Sequence, residues 1–231
     1  MGVKAEFGKA VRTELRHFPV WDVGAVVVVG DYGEVSDHCF TKLGNVFEDF
    51  QAIVELDAAK PTALWEFSSA GTTVTNAAVR GGEATSAEAS LVLAFESAHS
   101  LFVKAERSHV EAMANADEVG RQLRNAPRKW NRDHVFVSSV RFAKGFTLFM
   151  NTKKGSSITL EGSAPILEEV IGGRARAGTS VKVSGDAGLK AVGVTGGLYV
   201  DLMRLHWLGG TKPLRDEEVE LLPVAAAITT P

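Results

Sequence analysis

Cysteine is almost missing from this chain: 231 residues hold only Cys39. A single thiol excludes an intramolecular disulfide framework and leaves too few thiolates for a Cys-based zinc site, so a reducing cytoplasm is the expected compartment. Long hydrophobic runs are lacking too. The apolar run from Val23 to Val29 falls far short of the roughly 18 to 20 residues a spanning helix needs, and no cleavage region accompanies it, so neither a membrane helix nor a signal peptide is expected. An excess of positive charge is also absent. The net charge of −3 argues against a dedicated nucleic-acid partner and makes any cationic surface a local one.

Catalytic signatures are missing in the same way. Six histidines stand at 17, 38, 99, 109, 134 and 206, without the i, i+4 pair of a helical zinc site and without an HxH pair. His38 and Cys39 are neighbours, and neighbours on a strand point to opposite faces, so they form no nucleophilic dyad. The segment GGRARAG, Gly172 to Gly178, has neither the Lys-Ser/Thr ending of a phosphate loop nor the strand and helix of a dinucleotide site. No catalytic residue, cofactor or metal ligand is expected.

What the chain does contain is strand. GTTVTNAAVRGGEATSAEASLVLAF, Gly71 to Phe95, alternates with a period of two, with Ala89, Leu91, Leu93 and Phe95 on one side and Ser90, Val92, Ala94 and Glu96 on the other. Gly81 and Gly82 offer a turn within it. Before this region, Val3, Phe7, Val11, Leu15 and Phe18 mark an amphipathic helix ended by Pro19; GAVVVVG, Gly24 to Gly30, reads as a strand buried on both faces; and Asp31, Tyr32 and Gly33 supply a turn to a return strand through Cys39 to Leu43. A helix from about Asn115 through Leu123 separates this half from a second one. There, strands over His134 to Met150 and Ser180 to Trp207 flank a short helical turn at Pro165 to Val170. The outline is α+β: a twisted, mostly antiparallel sheet with an amphipathic N-terminal helix and a few peripheral helices. GGTKP, Gly209 to Pro213, has linker composition and leads to the acidic RDEEVE and the apolar LLPVAAAI.

Strands of small alternating residues suit a sheet that faces lipid in a second state, since a membrane strand needs only about 9 to 11 residues. The order of segments resembles the pore-forming amino-terminal domain of the gasdermin family. The likeness is carried by EFGKAVRTELRHF, VGAVVVVGDYGEVSDHCFTKLGNVFED, LWEFSSAGTTV, ADEVGRQLRNAPRKW, HVFVSSVRF and GTSVKVSGDAGLKAVGVTGGLYVDLMRLHW, in that order. It implies a pore-forming domain over 1–208 and, over 209–231, a linker with a short autoinhibitory tail of bacterial type. It also implies a latent cytoplasmic protein that an activating protease releases, and that then binds anionic lipids of the inner or plasma membrane, forms a homo-oligomer and inserts β-hairpins to cause lytic death in bacterial defence. The family's lipid-modified N-terminal cysteine has no counterpart here, and Glu6 breaks the myristoylation pattern in MGVKAE.

Basic groups are therefore the candidates for membrane capture: Lys4, Lys9, Arg12 and Arg16 on the first helix, and Arg121, Arg124, Arg128, Lys129 and Arg132 beside Trp130, an aromatic suited to an interface. Leu91, Leu93 and Phe95 are the candidate membrane-inserting row. Leu221, Leu222, Val224 and Ile228, with Asp216, Glu217, Glu218 and Glu220, are the candidate autoinhibitory residues, and Lys212 and Arg215 the candidate cleavage points. Two other function classes fit the same residues: a non-catalytic β-rich binding or assembly module, and an enzyme whose catalytic residues are dispersed.

Overall fold

The structure, a computed structural model, describes residues 2–20, 26–58, 60–80, 88–126, 128–175, 179, 181–206 and 210–214. In chain order the elements are α1 (Val3–Leu15), β1 (Phe18–Pro19), β2 (Asp31–Ser36), β3 (Cys39–Asn45), α2 (Val46–Phe50), β4 (Ala63–Ser68), β5 (Thr72–Arg80), β6 (Glu88–Phe95), β7 (Leu101–Ala112) and α3 (Ala116–Asn125). They continue with β8 (Val135–Asn151), β9 (Ser156–Ser163), α4 (Ala164–Ile171), β10 (Lys182–Gly185), β11 (Ala187–Leu205) and β12 (Thr211–Pro213). All pairings between these strands are antiparallel, which matches the expected α+β outline.

β8 is the spine. It pairs with β11 along one side and with β7 and then β2 along the other; β4 lies beyond β7, β3 beyond β2, and β1 and β12 beyond β11. A second sheet has the order β10-β9-β6-β5. Its strands come from the middle of each half. The chain leaves the main sheet after β4, makes β5 and β6, and returns as β7; after α3 it leaves again from β8, makes β9, α4 and β10, and returns as β11. The two excursions meet where β6 pairs with β9, Leu91 opposite Leu160 and Leu93 opposite Ile158.

Three apolar clusters hold this arrangement, and β8 contributes to each. Val135, Phe136, Val137 and Val140 join α3 and the β2–β3 hairpin, while Ala143, Phe146, Leu148 and Met150 pack under Phe7 and Val11 of α1. Phe149 faces the second sheet with Leu93, Phe95 and Leu167. The strand is buried along most of its length, most continuously over residues 145–151.

Three local expectations are corrected. Residues 26–29 form no strand: Val27 and Val29 are buried, but Val26 and Val28 are exposed, because the Val28 amide donates to the Asp31 carboxylate and the Gly30 amide to the Val137 carbonyl. Asp31, Tyr32 and Gly33 are strand, not turn. The hairpin turns at Asp37 and His38, both with positive φ, as a tight two-residue turn demands. Buried Asp31 is held by Lys42 at 2.9 Å and the Asn45 amide at 2.9 Å, so a residue type that usually marks a loop is an anchored ion here. Finally, α1 ends at Leu15 with Arg16 in the left-handed region, before Pro19 is reached.

Candidate membrane site

The basic residues of α1 divide. Lys9 and Arg16 are exposed, and Lys4 donates to the Ser36 hydroxyl at 3.0 Å. Arg12 is a correction to the expected cationic face: it is 6% exposed, with its guanidinium stacked over the Phe18 ring 3.7 Å from the centroid. There it packs α1 onto the sheet and presents little charge to the outside. The end of this helix is fastened again by His17, whose Nδ1 lies 2.6 Å from the Asp201 carboxylate and whose ring stacks on Tyr199 at 4.0 Å. Burial pushes the Asp201 carboxyl up, but hydrogen bonds from His17 and Ser139 and the charges of His17 and Arg12 outweigh it and hold the group below its ordinary range.

The second basic group gathers into a cleft. Arg124 at the end of α3, Lys129 and Arg132 beyond it, Arg204 and His206 at the end of β11 and Lys212 of β12 line a cavity of about 600 Å³, and none of the described residues in its lining is acidic. The sequence placed the first three together; Arg204, His206 and Lys212 come from some eighty positions downstream and are brought in by the pairing of Arg204 with Lys212. Fixed geometry supports the cleft: Arg124 donates to the Gly210 carbonyl at 2.5 Å, and Asp117 of α3 accepts from the Thr211 hydroxyl at 2.7 Å and its amide at 3.2 Å. Those bonds from Thr211 hold the Asp117 carboxyl below its usual range. Arg121 and Arg128 lie outside this lining and are paired, with Glu118 and with Asp49.

Trp130 departs from the expected interfacial role. Its ring is 7% exposed and packs among Tyr32, Phe50, His134 and Phe136, so it supports the floor of the cleft as a core aromatic.

The candidate inserting row is wholly inside. Leu91, Leu93 and Phe95 are 4%, 0% and 2% exposed, covered by Leu167 and Val170 of α4 and flanked by Ile158 and Leu160 of β9. On the neighbouring strand, Val74 pairs with Leu93, shares its face and is 43% exposed. The apolar row is thus covered by a short helix together with Phe102 and Phe149 of the main sheet.

At the C-terminal end, the linker reading of GGTKP is corrected: Thr211–Pro213 add a strand to β11, and Leu214 is 6% exposed in the main core. Lys212 therefore sits in a paired strand, a poor substrate for a protease, which needs an extended and accessible segment. Arg215, Asp216, Glu217, Glu218, Glu220, Leu221, Leu222, Val224 and Ile228 lie outside the described residues.

Among the described residues no cluster of three His, Cys, Asp or Glu could hold a metal, and no helix is long and apolar enough to cross a membrane. Burial pushes the Cys39 thiol up to about 12, which suits an inert core residue.

No family model and no curated protein matches the chain. Among solved structures it is similar to a bacterial gasdermin from Bradyrhizobium tropiciagri, with 14% identity over 91% of this chain and 90% of that one and a TM-score of 0.38. It is also similar to the gasdermin A3 membrane pore, solved by cryo-EM, with 10% identity over 100% of this chain and 98% of that one and a TM-score of 0.31. Both are gasdermins, the family that the sequence resembles.

Proposed function

We propose that the protein is a latent pore former that binds anionic membrane through its basic cleft, assembles with copies of itself and extends its two strand excursions into a membrane barrel. The observation that carries this reading is the path of the chain. Each half is a pair of long strands bent over onto a second sheet, and the alternating apolar rows of that sheet, Leu91, Leu93, Phe95 and Ile158, Leu160, are hidden under α4. Straightened, β6 with β7 and β8 with β9 would each be longer than a bilayer requires: β8 alone has 17 residues, about 56 Å at about 3.3 Å each, against a hydrocarbon core of about 30 Å. Closure into a barrel follows from the cost of unpaired backbone in hydrocarbon.

In this reading the latent form is cytoplasmic, the active form is at the inner or plasma membrane, and the outcome is lytic death. A protease acts as the trigger, with Arg215 the cleavage point because Lys212 is held in β12. The tail beyond it combines acidic residues that match the cleft in charge with apolar residues suited to cover a protomer interface. The test is dye release from anionic vesicles before and after cutting the full chain at a specific site placed directly after Leu214. Release only after cutting supports the proposal. An intact protein that leaks equally removes the latency, and a cut protein that stays inert removes the pore.

A further inference from the structure

Four strand bends connect the two sheets, and hydrogen bonds tie them into one group. They lie at Ser69–Gly71 between β4 and β5, at Glu96–Ser100 between β6 and β7, at Thr152–Gly155 between β8 and β9, and at Asp186 between β10 and β11. At a bend the strand leaves its ladder, so its backbone groups need other partners. Asn151, 0% exposed, supplies them to both halves of the chain at once. Its side-chain oxygen accepts from the Ser100 amide at 2.7 Å, and its nitrogen donates to the Ser97 carbonyl at 2.9 Å and the Lys153 carbonyl at 2.7 Å, with the Ser156 hydroxyl at 3.1 Å.

The remaining two bends are attached to these. The Leu101 amide donates to the Ser69 hydroxyl and the Ser69 amide to the Leu101 carbonyl, both at 2.9 Å, joining the first bend to the second. On the other side the Thr152 amide donates to the Asp186 carbonyl at 2.8 Å, and Lys153 and Asp186 form an ion pair at 2.9 Å. Asparagine is disfavoured in strands. Here it stands directly after the buried run Phe149 and Met150, with every polar position of its amide satisfied.

We infer that Asn151 is a conformational latch that makes the bends of both halves open as one unit. Straightening β6 into β7 alone would strip the Asn151 amide of Ser97 and Ser100 while leaving it buried, the costly case for a polar group. Opening the second half as well frees the side chain to water and removes that penalty, so the openings favour each other. The consequence for membrane insertion rests on the pore-forming reading: both hairpins extend together. The coupling itself is a property of the latent fold.

Amide hydrogen exchange on the full chain tests it. Asn151→Ala is expected to speed exchange at Ser69 and Leu101 in the first half and at Thr152 and Asp186 in the second by a similar factor, on the order of tenfold to a hundredfold. Ser69→Ala, at the edge of the network in the first half, should speed exchange at Thr152 and Asp186 as well, because the bends open together. Acceleration in only one half of Asn151→Ala, or in neither, overturns the latch. Should that variant not fold, Ser156→Ala serves: its hydroxyl bonds with Asn151 and Lys153, both in the second half, so faster exchange at Ser100 and Leu101 supports the coupling and a change confined to residues 152–157 overturns it. Vesicle leakage separates the two readings, because a variant whose bends loosen together yet leaks no faster upholds the latch and contradicts the pore.

Discussion

Leu93 of β6 lies opposite Ile158 of β9, and both are fully buried at the seam where the two halves of the chain meet. This pair fixes how the inserting row can be probed. A charge at Leu93 would be trapped in the latent core and destabilise it by more than about 4 kcal/mol, so lost leakage would report only unfolding. Val74 shares the face of Leu93 but is exposed. Val74→Lys is expected to change stability by no more than about 0.5 kcal/mol, while costing about 2–4 kcal/mol on the lipid face of a barrel. Thermal unfolding unchanged with leakage abolished is the expected pair of results; unchanged leakage places this face away from lipid.

The cleft and α1 make separable claims on membrane capture. Lys129→Gln with Arg132→Gln should weaken vesicle binding by about 2 kcal/mol at low salt, roughly thirtyfold, and flatten its salt dependence. Co-sedimentation with anionic vesicles measures both. If Lys9→Gln alone has the larger effect, capture belongs to α1.

Asp201 makes the attachment of α1 dependent on pH. Its carboxyl is held below the usual range in the fold, so its contribution is complete above about pH 4, the ordinary carboxylate value, and is lost as pH falls through its lowered value. Asp201→Asn should lower stability at neutral pH and make the decline below about pH 4 shallower. Urea titrations at neutral and acid pH would show it, and parallel curves for parent and variant would contradict it.

Gly8 marks the closest approach of α1 to the β2–β3 turn. A methyl group there would lie 2.2 Å from the Asp37 carbonyl oxygen, a backbone atom that cannot step aside cheaply. Gly8→Ala is expected to destabilise by about 1–3 kcal/mol despite alanine's helix preference of about 1 kcal/mol, visible as a melting temperature several degrees lower. A more stable variant would mean that α1 moves freely on the sheet.

Much of the fold was legible because its signals are local. Period-two alternation marked Leu91, Leu93 and Phe95 as one face, and that face is the buried one. The spacing of Phe7 and Val11 gave the packed side of α1. What was hidden depends on partners distant in sequence. The GAVVVVG run looked like a strand because composition does not show that Asp31 and Val137 take its backbone hydrogen bonds. Trp130 looked interfacial beside its basic neighbours, yet Tyr32, Phe50 and Phe136 enclose it. GGTKP looked like a linker because a three-residue strand has no period to read, and it brings Lys212 into the basic cleft. Asn151 gave no signal at all, since its role lies in bends that only the folded chain brings together.

Electron microscopy of the cut protein on anionic vesicles tests the central claim most directly. Cleavage after Leu214 is expected to give closed rings of protein on the vesicle surface together with dye release. Bound protein without rings, on vesicles that keep their dye, would contradict pore formation and leave a membrane-binding module in its place.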